Sequence, residues 1–400
     1  MPTLYQINIT ANQASHGRIA EEIGLLAMSK GWDSYIAYGR WANPSMSHLY
    51  HIGNMWDERW HGLQSRLFDN HGLSSKWATR KLIKNIEEVK PDVIHLHNIH
   101  GYYLNYPLLF DYLSITNIPV VWTLHDCWSF TGHCAFFTYC QCNKWRNNCD
   151  GCAFKSTYPK ALLWSNSKRN FDLKNKYFNS IENLTIVPVS EWLSNLVAYS
   201  FLRDHHRKMI HNGIDLNVFQ KKDSSIHFVP EEKKVVLGVS FDWDERKGLQ
   251  DFVKLRDFLS DDYIVILIGL SKKQIKSLPK GIIGIERTQN INELVLYYSR
   301  ADVFANPTYE DNFPTTNIEA LACGTPVVTY NTGGSPEAID ENTGVVVPYG
   351  DIDAFYEAII YVASNKIKMS DYCRKRAEFF FNKSDRYQDY IDLYYFLLSK

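Results

Sequence analysis

Residues 302–336 read DVFANPTYEDNFPTTNIEALACGTPVVTYNTGGSP, which sets two carboxylates, Asp311 and Glu319, eight positions apart around Pro314-Thr315-Thr316. A carboxylate accepts several hydrogen bonds at once, which suits the hydroxyls of a sugar or ribose. A helix starting at Thr315 would add free N–H groups and a partial positive charge, a seat for phosphate. Upstream, Arg246 and Lys247 stand together before Gly248. Two cations at a strand end can offset the charge of an anionic ligand, Arg through its planar fork and Lys as a point charge. Each feature alone fits an ordinary parallel-sheet protein; coupled, they offer seats for phosphate and for hydroxyls in one place.

Histidines supply a second set of candidates. His97 and Asn98 end one apolar run, and His125 ends another at 120–124. Open parallel sheets bind ligands at the carboxyl ends of their strands. His16 and Gly17 end a polar loop, 10–17, ahead of a helix expected at 18–28, a usual place for an anionic ligand. The loop is not G-x-G-x-x-G, so a dinucleotide fingerprint is absent. The structural alternatives are a satisfied core histidine and a plain tight turn.

The elements that must position these groups alternate between strand and helix throughout. In the first half, strands are expected at 4–9, 32–38, 93–97, 120–124, 184–189 and 209–211. Helices are expected at 18–28, 77–89 and 190–197, and residues 41–75 show no clear period. The second half restarts with strands at 234–239, 263–269 and 282–285 and helices at 249–259 and 291–299. The opening stretch then reads as strand, acidic loop, helix 315–323 between Pro314 and Gly324, and strand 326–330. Helices at 353–364, 369–381 and 386–398 close the chain. The expected class is α/β, with a first domain at 1–218, a linker at 219–232, a second domain at 233–380, and a terminal segment, 381–400, crossing back.

Six cysteines fall between 127 and 152. With no basic n-region or apolar h-region at the N-terminus, no export signal is expected, so such density argues for metal before disulfides. Cys134, Cys142, Cys149 and Cys152 form one tetrahedral set for a structural zinc; reduced thiols in an aromatic loop are the other reading. Residues 156–181 mix lysines with aromatics, which suits anionic head groups or a solvated helix face. The net charge of −1 gives no electrostatic case for nucleic acid.

The stretch at 306–336, the Arg246-Lys247-Gly248 triplet and the His125 to Cys152 segment resemble glycosyltransferase family 4, of the GT-B fold. The family's E-x7-E becomes Asp311…Glu319 here, with Glu310 adjacent. The resemblance implies two Rossmann-like doubly wound domains facing a cleft. It implies retaining, metal-independent transfer of a hexose-type sugar from a nucleoside diphosphate donor to a glycan or lipid-linked saccharide in cell-surface polysaccharide synthesis. Arg246 and Lys247 would hold the diphosphate, assisted by Gly17, Thr315 and Thr316. Glu319 would take the ribose, Asp311 with the amides of Asn312 and Phe313 the sugar, and Thr288 the base. His125 would lie by the sugar, with His16, His97 and Asn98 toward the acceptor. No cofactor would be needed for catalysis. The expected place is the cytoplasm, at the inner face of the membrane. A decayed scaffold of the same fold and a sugar-nucleotide epimerase are the alternatives.

Overall fold

The computed structural model describes residues 1–223, 226 and 229–400. Ser224, Ser225, His227 and Phe228, part of the expected linker, lie outside the described residues. The chain divides into two compact units: Met1–His211 with Tyr387–Lys400, and Asn212–Arg386. The division falls ahead of the boundary expected at 218.

The first unit contains β1 (Thr3–Ala11), α1 (Ala14–Ser29), β2 (Asp33–Ala42), β3 (His48–His51), α2 (Met55–Phe68), α3 (Lys76–Val89), β4 (Val93–Leu96), α4 (Tyr106–Ser114), β5 (Val120–Leu124), α5 (Ser167–Phe178), β6 (Leu184–Pro188), α6 (Glu191–Ala198) and β7 (His206–Arg207). Its strands form a parallel seven-stranded sheet in the order β3-β2-β1-β4-β5-β6-β7. Strands β4, β5 and β6 are buried along their whole length, as expected of a sheet covered on both faces.

The second unit contains β8 (Lys234–Val239), α7 (Leu249–Phe258), β9 (Tyr263–Ile268), α8 (Lys272–Lys276), β10 (Ile282–Ile285), α9 (Ile291–Arg300), β11 (Val303–Asn306), α10 (Thr315–Ala322), β12 (Val327–Tyr330), β13 (Gly344–Val347) and α11 (Ile352–Phe380). Its parallel six-stranded sheet runs β10-β9-β8-β11-β12-β13. The last helix, α12 (Lys383–Leu398), gives Tyr387, Tyr390, Ile391 and Tyr394 to a core cluster with Leu4, Ile23, Val93 and Val121.

Several expectations need correction. Helix α1 begins at Ala14, so Gly17 lies inside it and not in a loop. Residues 41–75 fold into β3 and α2, because Asn54 and Asp57 form a capping box that starts the helix. No strand forms at 209–211; the edge strand is the two-residue β7. The helices expected at 353–364 and 369–381 are one 29-residue helix, α11.

Candidate active site

Each sheet reverses its strand order once, between β1 and β4 in the first unit and between β8 and β11 in the second. Ligands of open parallel sheets sit at that reversal, outside the carboxyl ends of the strands. The loops leaving β8 and β11 carry the cations and acids singled out from the sequence.

After β8, Asp244 caps a 3-10 turn by accepting from the Lys247 amide at 3.2 Å, and Gly248 closes the turn at φ 74°. The loop after β11 docks on this turn, with the Tyr309 amide donating to the Arg246 carbonyl at 2.7 Å. The two loops pair their charges. Lys247 Nζ lies 2.6 Å from Asp311 Oδ2, and Arg246 lies 2.8 Å from Asp244 and 3.6 Å from Glu310. Glu310 and Asp311 thus take one cation each: Glu310 is buried, and Asp311 is partly open to solvent.

Asn312 and Phe313 are buried, and the Phe313 ring packs 5.7 Å from Phe381. That leaves their backbone as the part suited to a ligand. Thr315 and Thr316 begin α10, whose N-cap, Pro314, supplies no side-chain hydrogen bond. Glu319, one turn in, accepts from Tyr298 Oη at 2.8 Å; burial and this carboxylate hold the phenol above its usual range. Thr288 lies two strands from β8, on the loop after β10. Sequence reasoning missed Phe241, just beyond β8. It is 87% exposed and lies 5.4 Å beneath the Arg287 guanidinium.

In the first unit His16, His97, Asn98 and His125 do come together, organised by two buried amides. Gln6 Nε2 donates to the Ala20 carbonyl, so its Oε1 faces His97 Nε2 at 3.1 Å. The His97 proton therefore sits on Nε2, and Nδ1 accepts from His125 Nε2 at 3.2 Å. Asn8 donates to His16 Nδ1 at 3.1 Å and accepts from the Asn98 amide at 3.3 Å. Burial lowers all three imidazoles, His16 to about 4, and each cationic neighbour would lower them further. The cluster is a neutral hydrogen-bonding surface, not a cationic one. Gly17 has a packing reason of its own: a Cβ there would lie 2.5 Å from Thr10 Oγ1.

The cysteine-rich insert is held by a buried amine, whose pKa burial pulls down to about 7. Lys174 Nζ donates to the carbonyls of Trp128 at 2.6 Å and Thr131 at 3.0 Å, and lies 3.5 Å over the Trp128 ring. His133 meets Asp69, the last residue of the α2 region, at 2.8 Å. All eight cysteines are free thiols. Burial and the neighbouring Cys152, Cys149, Cys142 and Cys140 push the Cys134 thiol well up. Among the described residues, however, no group of three or more His, Cys, Asp or Glu is disposed to hold a metal ion. The set expected for zinc, Cys134, Cys142, Cys149 and Cys152, is not closed in this geometry.

Two family models match consecutive parts of the chain: "Glycosyltransferase Family 4" over residues 26–218 and "Glycosyl transferases group 1" over residues 219–379. The chain is a glycosyltransferase with a family 4 region followed by a group 1 region. This glycosyltransferase is 22% identical over 367 residues to the putative colanic acid biosynthesis glycosyl transferase WcaC of Escherichia coli K12, covering 86% of this chain and 87% of that one. Its fold is similar to sucrose-phosphate synthase from Thermosynechococcus elongatus, at TM-score 0.74, 17% identity and full coverage of both chains. It is similar also to Anabaena HepE solved with UDP-glucose, at TM-score 0.64, 12% identity and 98% coverage of each chain. The architecture is GT-B, two Rossmann-like domains.

Proposed function

We propose that this glycosyltransferase moves a hexose from a nucleoside diphosphate sugar to a glycan or lipid-linked saccharide, with retention at the anomeric carbon, in cell-surface polysaccharide synthesis. The observation that carries the reading is the meeting of Arg246, Lys247 and Asp311 at the strand-order reversal, beside the N-terminus of α10. An incoming diphosphate takes the two cations from their carboxylate partners. Asp311, released from Lys247, then accepts from sugar hydroxyls, while Glu319 serves the ribose. Phe241 offers an aromatic face to the base.

Arg246 and Lys247 stabilise the leaving diphosphate, so the reaction needs no divalent ion for that charge. On a front-side route the acceptor oxygen bonds the anomeric carbon as the bond to phosphate breaks. The acceptor proton passes to the departing phosphate, and the protein supplies positioning and charge stabilisation. His125, kept neutral, offers hydrogen bonds to a ligand of the first unit without adding charge. The similarity to WcaC supports a polysaccharide role, and the likeness to the HepE complex supports a nucleotide-sugar donor. The inner face of the cytoplasmic membrane is the proposed place of action.

The test is donor turnover across a panel of nucleotide sugars in wild type, Lys247→Ala and Glu319→Ala, with the product anomer read by NMR. One donor should turn over roughly 100-fold faster in wild type than in Lys247→Ala, the size of effect seen when a charge-stabilising group is lost. Equal turnover in all three proteins would reject Lys247 and Glu319 as the donor site, and no turnover of any donor in wild type would make this chain a decayed scaffold. Inversion at the anomeric carbon would overturn the retaining route.

A further inference from the structure

Helix α2 is amphipathic in the reverse sense. Its buried residues are His61 and Ser65, both polar. His61 accepts from the Gly72 amide at 3.0 Å and faces Ser75 Oγ at 2.8 Å, while Ser65 meets His71 at 3.1 Å. The opposite face carries Met55, Trp56, Trp60 and Leu63, and the two indoles are 71% and 59% exposed. A surface helix ordinarily turns its apolar stripe inward. Here the stripe faces water, although the inward hydrogen bonds fix the helix in place.

The apolar face continues beyond the helix. The Leu162 amide donates to the Arg66 carbonyl at 2.6 Å, and Trp164 stacks on Phe68 with ring centroids 5.6 Å apart. Leu162, Leu163 and Trp164 are themselves exposed. Contiguous exposed apolar surface of this kind marks a docking site.

The charges on the helix select the occupant. Arg59 and Arg66 are exposed, and the Arg59 guanidinium lies 5.5 Å over the Trp56 ring. The two acids of α2 are engaged elsewhere: Asp57 accepts from the Asn54 amide, and Glu58 pairs with Arg40 at 3.2 Å. The face therefore presents aromatic rings among exposed guanidinium groups, which matches an anionic bilayer surface. Indoles settle at the head-group level, and arginine stems lie along the acyl boundary with their heads in the phosphate layer.

We propose that the outward face of α2, extended by residues 162–164, docks this chain on the surface of an anionic lipid bilayer. The inference does not rest on the donor-site reading. It shares residues 162–164 with the lipid contact expected at 156–181 and adds α2 to it, while Lys174 of that segment points inward.

Full-length wild type, Trp56→Ala/Trp60→Ala and Arg59→Glu/Arg66→Glu would be floated with vesicles of phosphatidylcholine alone or mixed with phosphatidylglycerol. Wild type should bind the mixed vesicles, with a blue shift in tryptophan emission, and bind less as salt rises. The indole variant should lose at least about 10-fold in partitioning, and the arginine variant should lose the preference for anionic lipid. Both should keep wild-type circular dichroism and donor turnover. The proposal is overturned if wild type fails to bind. It is overturned equally if both variants bind as wild type does, or if the face proves to mediate self-association that Trp56→Ala/Trp60→Ala abolishes, without vesicle binding.

Discussion

Gly248 sets the geometry of the cation pair. Its φ is 74°, and a Cβ there would lie 2.2 Å from the Pro307 carbonyl oxygen, at the point where the β8 and β11 loops touch. Gly248→Ala should destabilise the protein by about 1–3 kcal/mol, the range for a residue forced into a sparse backbone region. It should also weaken nucleotide binding, because the turn carrying Arg246 and Lys247 is pushed from the acid loop. Denaturant midpoints and nucleoside diphosphate titration read the two effects separately. The acid pair and the cation pair were legible from residue type and spacing, since charge needs a counterpart wherever it is half-buried. Phe241 was not legible: one aromatic in a loop carries no period, and its exposure appears only in three dimensions. Gly17 was legible as a required glycine, though for a different reason, the close approach of α1 to Thr10.

At the scale of elements, the strands announced themselves through short β-branched runs bounded by turns. Helix α2 did not, because its apolar residues face water and its polar residues face inward, which defeats a search for an inward stripe. Helix α11 was divided in two because its middle, residues 365–368, reads as a polar break. The cysteine-rich insert depends on Lys174. Lys174→Met keeps the stem but removes the donor to two buried carbonyls, and should cost about 2–3 kcal/mol with a change in near-ultraviolet circular dichroism from Trp128. Wild-type stability would remove Lys174 as the anchor of the insert. Elemental analysis separates the two sequence readings of the thiols: one zinc per chain supports a tetrathiolate, and six alkylatable cysteines between 127 and 152 support a reduced aromatic loop.

At the scale of the whole chain, the histidines write a pH dependence into stability. His16, His61, His71, His95, His97 and His125 all have pKa values lowered, chiefly by burial. In the unfolded chain each takes a proton near pH 6.5. The stabilisation from holding them neutral is complete above that pH and drains away as pH falls toward 4, the value reached by His16. The unfolding free energy from urea titrations should therefore drop steeply between pH 6.5 and 5, by roughly 1 kcal/mol per pH unit for each histidine that stays neutral in the fold. A flat profile would mean the imidazoles accept protons without unfolding.

Helix α12 has a consequence for how the protein is made. Tyr394 Oη donates to His95 Nδ1 at 2.7 Å, and Thr123 Oγ1 donates to Tyr390 Oη at 3.1 Å, both inside the first sheet's core. The residues that complete this core therefore leave the ribosome only after the second unit has been made. While the second unit is being synthesised, the first emerges with an apolar slot over β4 and β5 and a histidine lacking its phenol. It waits in that state for the length of Asn212–Arg386, exposed to proteases and to chaperones that recognise open apolar surface.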